Sequence, residues 1–336
     1  MKIGVLGAGT WGIALAALLT SNQHDVTVWS ALPSEIDELE KSGNHKNLPG
    51  IKLPNSIKYT KNIEILAKGK ELILFVVPSS FIRVTTAKLA PFIDNGTILV
   101  TAAKGIEKGS LLTMTEVIED QLKTDRPDLN YSLAALSGPT HAEEVAIGMP
   151  TSIVSACENE KISTKIAEAF ANSCLRVYTN HDVRGVEICG AMKNIIALAA
   201  GINNGMGLGD NSKAMLMTRG IAEITRLGLA MGCERRTFMG LAGIGDLIVT
   251  CTSRHSRNNR CGELIGKGMS YEEASKEIGM VVEGYHALEA AMELSKKHNV
   301  ELPITEAVYK VIKEGFSPKD AIHTLMTRDL KSELKE

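Results

Sequence analysis

Residues 2–12 read KIGVLGAGTWG, an apolar run that passes directly into glycines at 7, 9 and 12. The pattern G-x-G-x-x-G is common by chance, so its flanks decide what it means. KIGVL has the composition of a buried strand, a helix is expected to open at about Trp11, and DVTVW at 25–29 reads as a second strand. Within such a β-α-β unit Gly7 permits the tight turn, Gly9 lets the backbone approach a pyrophosphate, and Gly12 lets helix and strand pack closely. The amino terminus of the helix then faces the anion.

Further short apolar runs follow at 71–77, 97–101, 131–136, 151–156 and 174–178, alternating with longer mixed segments. Strands apolar on both faces and separated by helices predict an α/β fold, a Rossmann-like, doubly wound, mainly parallel sheet. Beyond about residue 182 the texture changes to long helical periodicity, punctuated by glycine and asparagine at 201–211 and 240–262. The expected organisation is a dinucleotide-binding domain over 1–182 and a mainly α-helical substrate domain over 183–336. The charged end from 327 to 336 reads as a solvated terminus.

The chain has 336 residues, 44% of them hydrophobic and 23% charged, which is enough to bury two cores. A net charge of −2 carries no nucleic-acid footprint, so any anion site must be local. The six cysteines form no CxxC pair and no metal-ligand spacing, which predicts a reduced, cytoplasmic compartment and no metal. Residues 2–19 have the length of a signal peptide, but the glycines at 4, 7, 9 and 12 interrupt it. No other stretch reaches membrane-span length without charge, so stable membrane insertion is not expected. The oligomeric state stays open, a homodimer included.

ICGAMKNIIALAAG at 188–201 is a helix that is apolar nearly all round, with Lys193 and Asn194 at its centre. On a 3.6-residue period Val186, Gly190, Lys193, Ala197 and Ala200 share one stripe of small residues, suited to close approach by a neighbour. A buried ammonium needs a partner or a polar cavity. Hydride transfer between a nicotinamide and a carbonyl needs a proton at the developing alkoxide, which such a lysine could supply. Asn194 could bond the same oxygen or orient the lysine. Asp246, set in GLAGIGDLIVT, is an isolated carboxylate in apolar surroundings and so a candidate partner for Lys193. Arg254, Ser256, Arg257, Asn258 and Arg260 crowd a segment that caps a helix expected near Asn258, a donor set suited to a phosphate dianion.

Three strand ends complete the pattern. After Trp29 stand Ser30, Ala31 and Leu32, neither the acid that would hold the ribose of NAD nor the arginine that would hold the 2′-phosphate of NADP, so the Ser30 hydroxyl could serve either. Lys104 follows the 97–101 strand beside Gly105. SGPTHAEEV at 137–145 places Thr140 and Glu143 at capping-box spacing.

With these motifs in order (GAGTWG, FVVPS, AAKGIE, SGPTHAEEV, GVEICGAMKNIIALAAGINNGMGLGDN, GLAGIGDLIVTCTSRHSRNNR and VVEGYHA) the chain resembles, over nearly its full length, the bacterial type of NAD(P)-dependent glycerol-3-phosphate dehydrogenase. The resemblance implies reversible reduction of dihydroxyacetone phosphate to sn-glycerol 3-phosphate, a precursor of phospholipids, with NAD or NADP as cofactor and a small phosphorylated substrate. It makes Lys193 the proton acceptor in the oxidative direction. It places substrate on Lys104, Gly138, Thr140, Asp246, Ser256, Arg257 and Asn258. Thr10, Trp11, Ala142, Val281 and Glu283 become cofactor contacts, with Lys104 and Arg257 close to the cofactor as well. The departure is after Trp29, where the family commonly carries a basic residue, so NAD use or dual use is expected in place of a strict NADP preference. The alternatives are a β-hydroxyacid or ketopantoate-type dehydrogenase and a dinucleotide-sensing protein without turnover.

Overall fold

A computed structural model describes residues 1–330, 332 and 333. Part of the charged end, residues 331 and 334–336, lies outside the described residues.

Eight strands build one sheet: β1 (Lys2–Leu6), β2 (Asp25–Trp29), β3 (Lys58–Thr60), β4 (Leu72–Phe75), β5 (Thr97–Thr101), β6 (Tyr131–Ser137), β7 (Thr151–Ala156) and β8 (Leu175–Asn180). Their order is β3-β2-β1-β4-β5-β6-β7-β8, parallel throughout except where β6 meets β7. Each central strand sends alternate side chains to opposite faces. Ile3, Val5, Leu74 and Val100 join one core, and Leu6, Ile73, Phe75 and Leu99 the other. The order reverses at β1, flanked by β2 and β4, and a crevice at the carboxyl ends of strands at such a point is the usual ligand site of open α/β sheets. Strand β3 escapes the sequence reading because KYT is three residues long, half-exposed and at the edge.

The described chain forms two compact units, Met1–Lys104 with Leu112–Val183, and Gly105–Leu111 with Arg184–Glu336. The short Gly105–Leu111 segment belongs with the helices, and its Ile106 joins their core.

The second unit is built around the Val183–Gly205 helix, which is buried from Gly185 to Asn203. It is the one described helix long and apolar enough to cross a membrane, and 94% of its apolar window is buried inside the protein. Gly201 and Gly205 do not punctuate this helix; they lie within it. A Cβ on Gly201 would sit 2.0 Å from the Asn259 carbonyl oxygen, and one on Gly205 2.1 Å from that of Glu263. The Arg257–Gly266 helix answers in kind: a Cβ on Gly262 would sit 2.2 Å from the Leu198 oxygen and one on Gly266 2.3 Å from the Ile202 oxygen. Two G-x-x-x-G pairs therefore press backbone to backbone. The expected small-residue stripe through Gly190 and Ala197 is buried, but this tightest approach lies on the neighbouring stripe through Leu198, Gly201 and Gly205.

A buried carboxylate organises another part of this unit. Glu223, on the Asp210–Ala230 helix, accepts the Ile304 N–H at 2.5 Å, the Thr305 N–H at 3.2 Å and the Thr305 hydroxyl at 3.2 Å. It thereby caps the Pro303–Lys313 helix, whose first amides have no internal partner. Burial outweighs these donors and pushes the Glu223 carboxyl up to about 7.

Candidate active site

Each unit contributes its own group of predicted residues. In the first, the Thr10–Ser21 helix starts directly after the glycine turn, with Gly9 as its N-cap, no side-chain cap and no acid in the first turn. Gly7 has φ +120°, a conformation open to glycine, and a Cβ on Gly12 would lie 2.0 Å from the Gly7 oxygen. Gly9 differs from both. Its φ is −69° and a Cβ there would meet no protein atom within 4 Å, so nothing in the fold requires glycine. Open space over a helix amino terminus fits a dinucleotide pyrophosphate held on Gly9, Thr10 and Trp11. Thr10 is buried and accepts from the Asn47 amide at 3.2 Å, while Trp11 is half-buried.

Lys104 Nζ lies 3.4 Å from the Gly138 carbonyl oxygen, and the Thr140 hydroxyl donates to the same oxygen at 3.2 Å. Thr140 therefore does not cap the following helix as its spacing with Glu143 suggested. That helix, Ala142–Ala146, has His141 at its N-cap and no side-chain cap. A Cβ on Gly138 would crowd the Ile153 Cα at 3.0 Å. At the end of β2 Ser30 is buried, its hydroxyl donating to Glu35 Oε2 at 2.6 Å. Asn47 and Glu35 were both missed by sequence reasoning: one is remote in sequence, the other lies six residues past Trp29, inside the next helix.

In the second unit Lys193 is 6% exposed and Asp246 1%. The Lys193 ammonium forms an ion pair with Asp246 and donates to the Thr250 hydroxyl at 2.8 Å. Thr250 in turn donates to the Asp246 carbonyl oxygen at 2.6 Å, so the three groups close a ring. A five-residue π turn, Leu241–Gly245, leads into the Asp246–Thr252 helix, and a Cβ on Gly243 would collide with the Phe238 oxygen at 2.1 Å. Thr250 was not foreseen, although its i+4 spacing from Asp246 puts both on one helix face. Burial pushes the neighbouring Cys251 thiol up to about 12, with Lys193 pulling it down, so this sulfur stays protonated.

Ser256 is the N-cap of the Arg257–Gly266 helix, accepting the Asn259 N–H at 3.2 Å. Arg254 and Arg260 are exposed, whereas Arg257 is half-buried. Asn258 donates to Asn194 Oδ1 at 3.0 Å and accepts the Gly284 N–H at 2.9 Å. Asn194 also donates to the Gly190 carbonyl at 3.2 Å. Gly284 follows Glu283, the first residue of the Glu283–His298 helix, and Val281 precedes that helix half-buried.

Two family profiles cover most of the chain. Residues 2–163 match the NAD-dependent glycerol-3-phosphate dehydrogenase N-terminus, and residues 182–323 match the C-terminus of the same enzymes. The chain belongs to the NAD-dependent glycerol-3-phosphate dehydrogenase family. A relative from Lactobacillus delbrueckii subsp. bulgaricus named glycerol-3-phosphate dehydrogenase (NAD(P)+) 2 is 56% identical over 333 residues, 99% of both chains. One from Fusobacterium nucleatum is 48% identical over 336 residues, covering 100% of this chain and 99% of the other. The crystal structure of glycerol-3-phosphate dehydrogenase from Coxiella burnetii superposes with a TM-score of 0.91 at 36% identity, covering 97% of this chain and 99% of that one. A ketopantoate reductase from Ralstonia eutropha, at 16% identity and a TM-score of 0.62 over 96% of this chain and 100% of its own, shares the fold alone. Membership makes the chain an NAD(P)-dependent oxidoreductase.

Proposed function

We propose that this chain interconverts dihydroxyacetone phosphate and sn-glycerol 3-phosphate with NAD(H) or NADP(H), Lys193 acting as general acid and base. The observation that carries the assignment is a lysine placed at the centre of a buried helix and aimed by Asp246 and Thr250. When bound, the nicotinamide supplies or accepts the hydride at C2. Lys193 gives its Nζ proton to the C2 oxygen as charge develops there, and takes it back in the oxidative direction. Asp246 holds the ammonium in place and Asn194 supports the same wall of the site. In the second unit Ser256, Arg257 and Asn258, at one helix amino terminus, hold the substrate phosphate; in the first unit Lys104, Gly138 and Thr140 are substrate residues. In the first unit Gly7, Gly9, Thr10, Trp11, Gly12, Ser30, Lys104 and Ala142 are cofactor residues, and in the second unit Arg257, Val281 and Glu283 are.

The product supplies phospholipid synthesis, and six cysteines with no disulfide among the described residues support a reduced cytoplasmic setting. A homodimer is the assembly to test, by sedimentation velocity. NAD(P)H consumption should be measured with dihydroxyacetone phosphate and, separately, with 2- and 3-oxo acids. Turnover confined to the phosphorylated ketone is expected; a preference for an oxo acid would overturn the assignment.

A further inference from the structure

The end of β2 lacks an acid in the sequence, yet the fold brings one there. Glu35 lies in the first turn of the Pro33–Ser42 helix. The Ser30 hydroxyl donates to its Oε2 at 2.6 Å and accepts the Leu32 N–H at 3.1 Å, so Ser30 folds the turn back and fixes the carboxylate against the strand end. Ser30 is buried and its one hydroxyl proton is committed, whereas Glu35 is half-buried.

Glu35 also lines a small cleft with Ala8 of the glycine turn, Glu38, His45 and Lys46. Burial holds the His45 ring below the usual histidine range, with the Glu35 charge pulling the other way. The cleft thus sets two carboxylates against one ammonium, a field hostile to a dianion. We infer that Glu35 reads the adenosine ribose, its carboxylate accepting from the 2′-hydroxyl of NAD(H) and repelling the 2′-phosphate of NADP(H), with Ser30 as the positioning residue. This rests on the dinucleotide reading of the glycine turn. An adjoining hollow of about 450 Å³ carries Lys46 and Lys52 beside Glu38, and a 2′-phosphate seated there is the rival outcome.

The test is direct titration of the full chain with NADH and with NADPH, without substrate, following the fluorescence of Trp11 and Trp29. The same measurement is made on Glu35→Gln and Ser30→Ala, with thermal midpoints as a folding control. The native chain should bind NADH roughly tenfold or more tightly than NADPH, as expected for one charged hydrogen bond gained or one like charge opposed. Glu35→Gln should narrow that ratio to within about threefold, chiefly by gaining NADPH, and Ser30→Ala should fall between the two. Tighter NADPH binding by the native chain, or a ratio unmoved in Glu35→Gln, overturns the inference. A chain that keeps the ratio but fails to turn over dihydroxyacetone phosphate refutes the proposed function and leaves this inference standing.

Discussion

Lys193 Nζ donates to the Thr250 hydroxyl at 2.8 Å, and both side chains close on Asp246 in a buried ring. Two roles are superposed in that ring, one chemical and one architectural, and they separate by mutation. Lys193→Met should cut kcat by about 10²–10⁴-fold. It should also cost about 3–5 kcal/mol of stability, because the buried Asp246 charge loses its ammonium partner. The double variant Lys193→Met/Asp246→Leu should recover most of the stability and none of the turnover. Recovered activity in the double variant would sink the acid–base role.

Thr250→Val keeps the side-chain shape and the ion pair but removes the hydroxyl between them. We expect kcat to fall with cofactor affinity unchanged, and a stability loss of about 1 kcal/mol. An equal loss of cofactor binding, read by titration, would point to a wider structural disturbance.

The glycine turn yields a contrast between Gly9 and Gly12. Gly12→Ala forces a Cβ to within 2.0 Å of the Gly7 oxygen and should lower the melting temperature sharply. Gly9→Ala meets no protein atom and should melt like the native chain while binding dinucleotide weakly. If Gly9→Ala binds NADH normally, the space above Gly9 is not where the pyrophosphate lies.

Gly262→Ala should be among the most damaging single-methyl changes in the second unit, since the Leu198 oxygen at 2.2 Å is backbone and cannot swing away. A loss of about 3 kcal/mol is expected in chemical denaturation. Gly268→Ala would not be an equivalent control, because its φ of +104° adds strain of another kind.

Glu223 gives a pH dependence. Its folded-state pKa is raised, so its contribution to stability is complete below the ordinary carboxyl range and is lost as pH climbs through about 7. Denaturation at pH 5 and pH 8 should show the native chain losing on the order of 3 kcal/mol relative to Glu223→Gln. Parallel stabilities at the two pH values would remove Glu223 from the account.

Apolar alternation made most of the sheet legible, because strands buried on both faces leave long hydrophobic runs, and β1, β2, β5 and β7 begin and end where those runs do. Lys193 and Asp246 were legible for a related reason: a charge inside an apolar helix demands a partner, and few are on offer. Glu35 was hidden because a chain reversal through Leu32 and Pro33, not strand position, brings it to β2. The facing pairs Gly201/Gly205 and Gly262/Gly266 were hidden for the opposite reason. Glycine in a sequence reads as a break, and only the partner helix reveals it as a contact surface.

Asn258 donates to Asn194 on one helix and accepts from Gly284 at the start of another, while standing on a third. Any residue put in its place must satisfy the Asn194 side chain and the Gly284 N–H at once. Directed evolution toward a different phosphorylated substrate should therefore find position 258 closed, whatever the new substrate requires, because the scaffold vetoes the change before the chemistry is consulted.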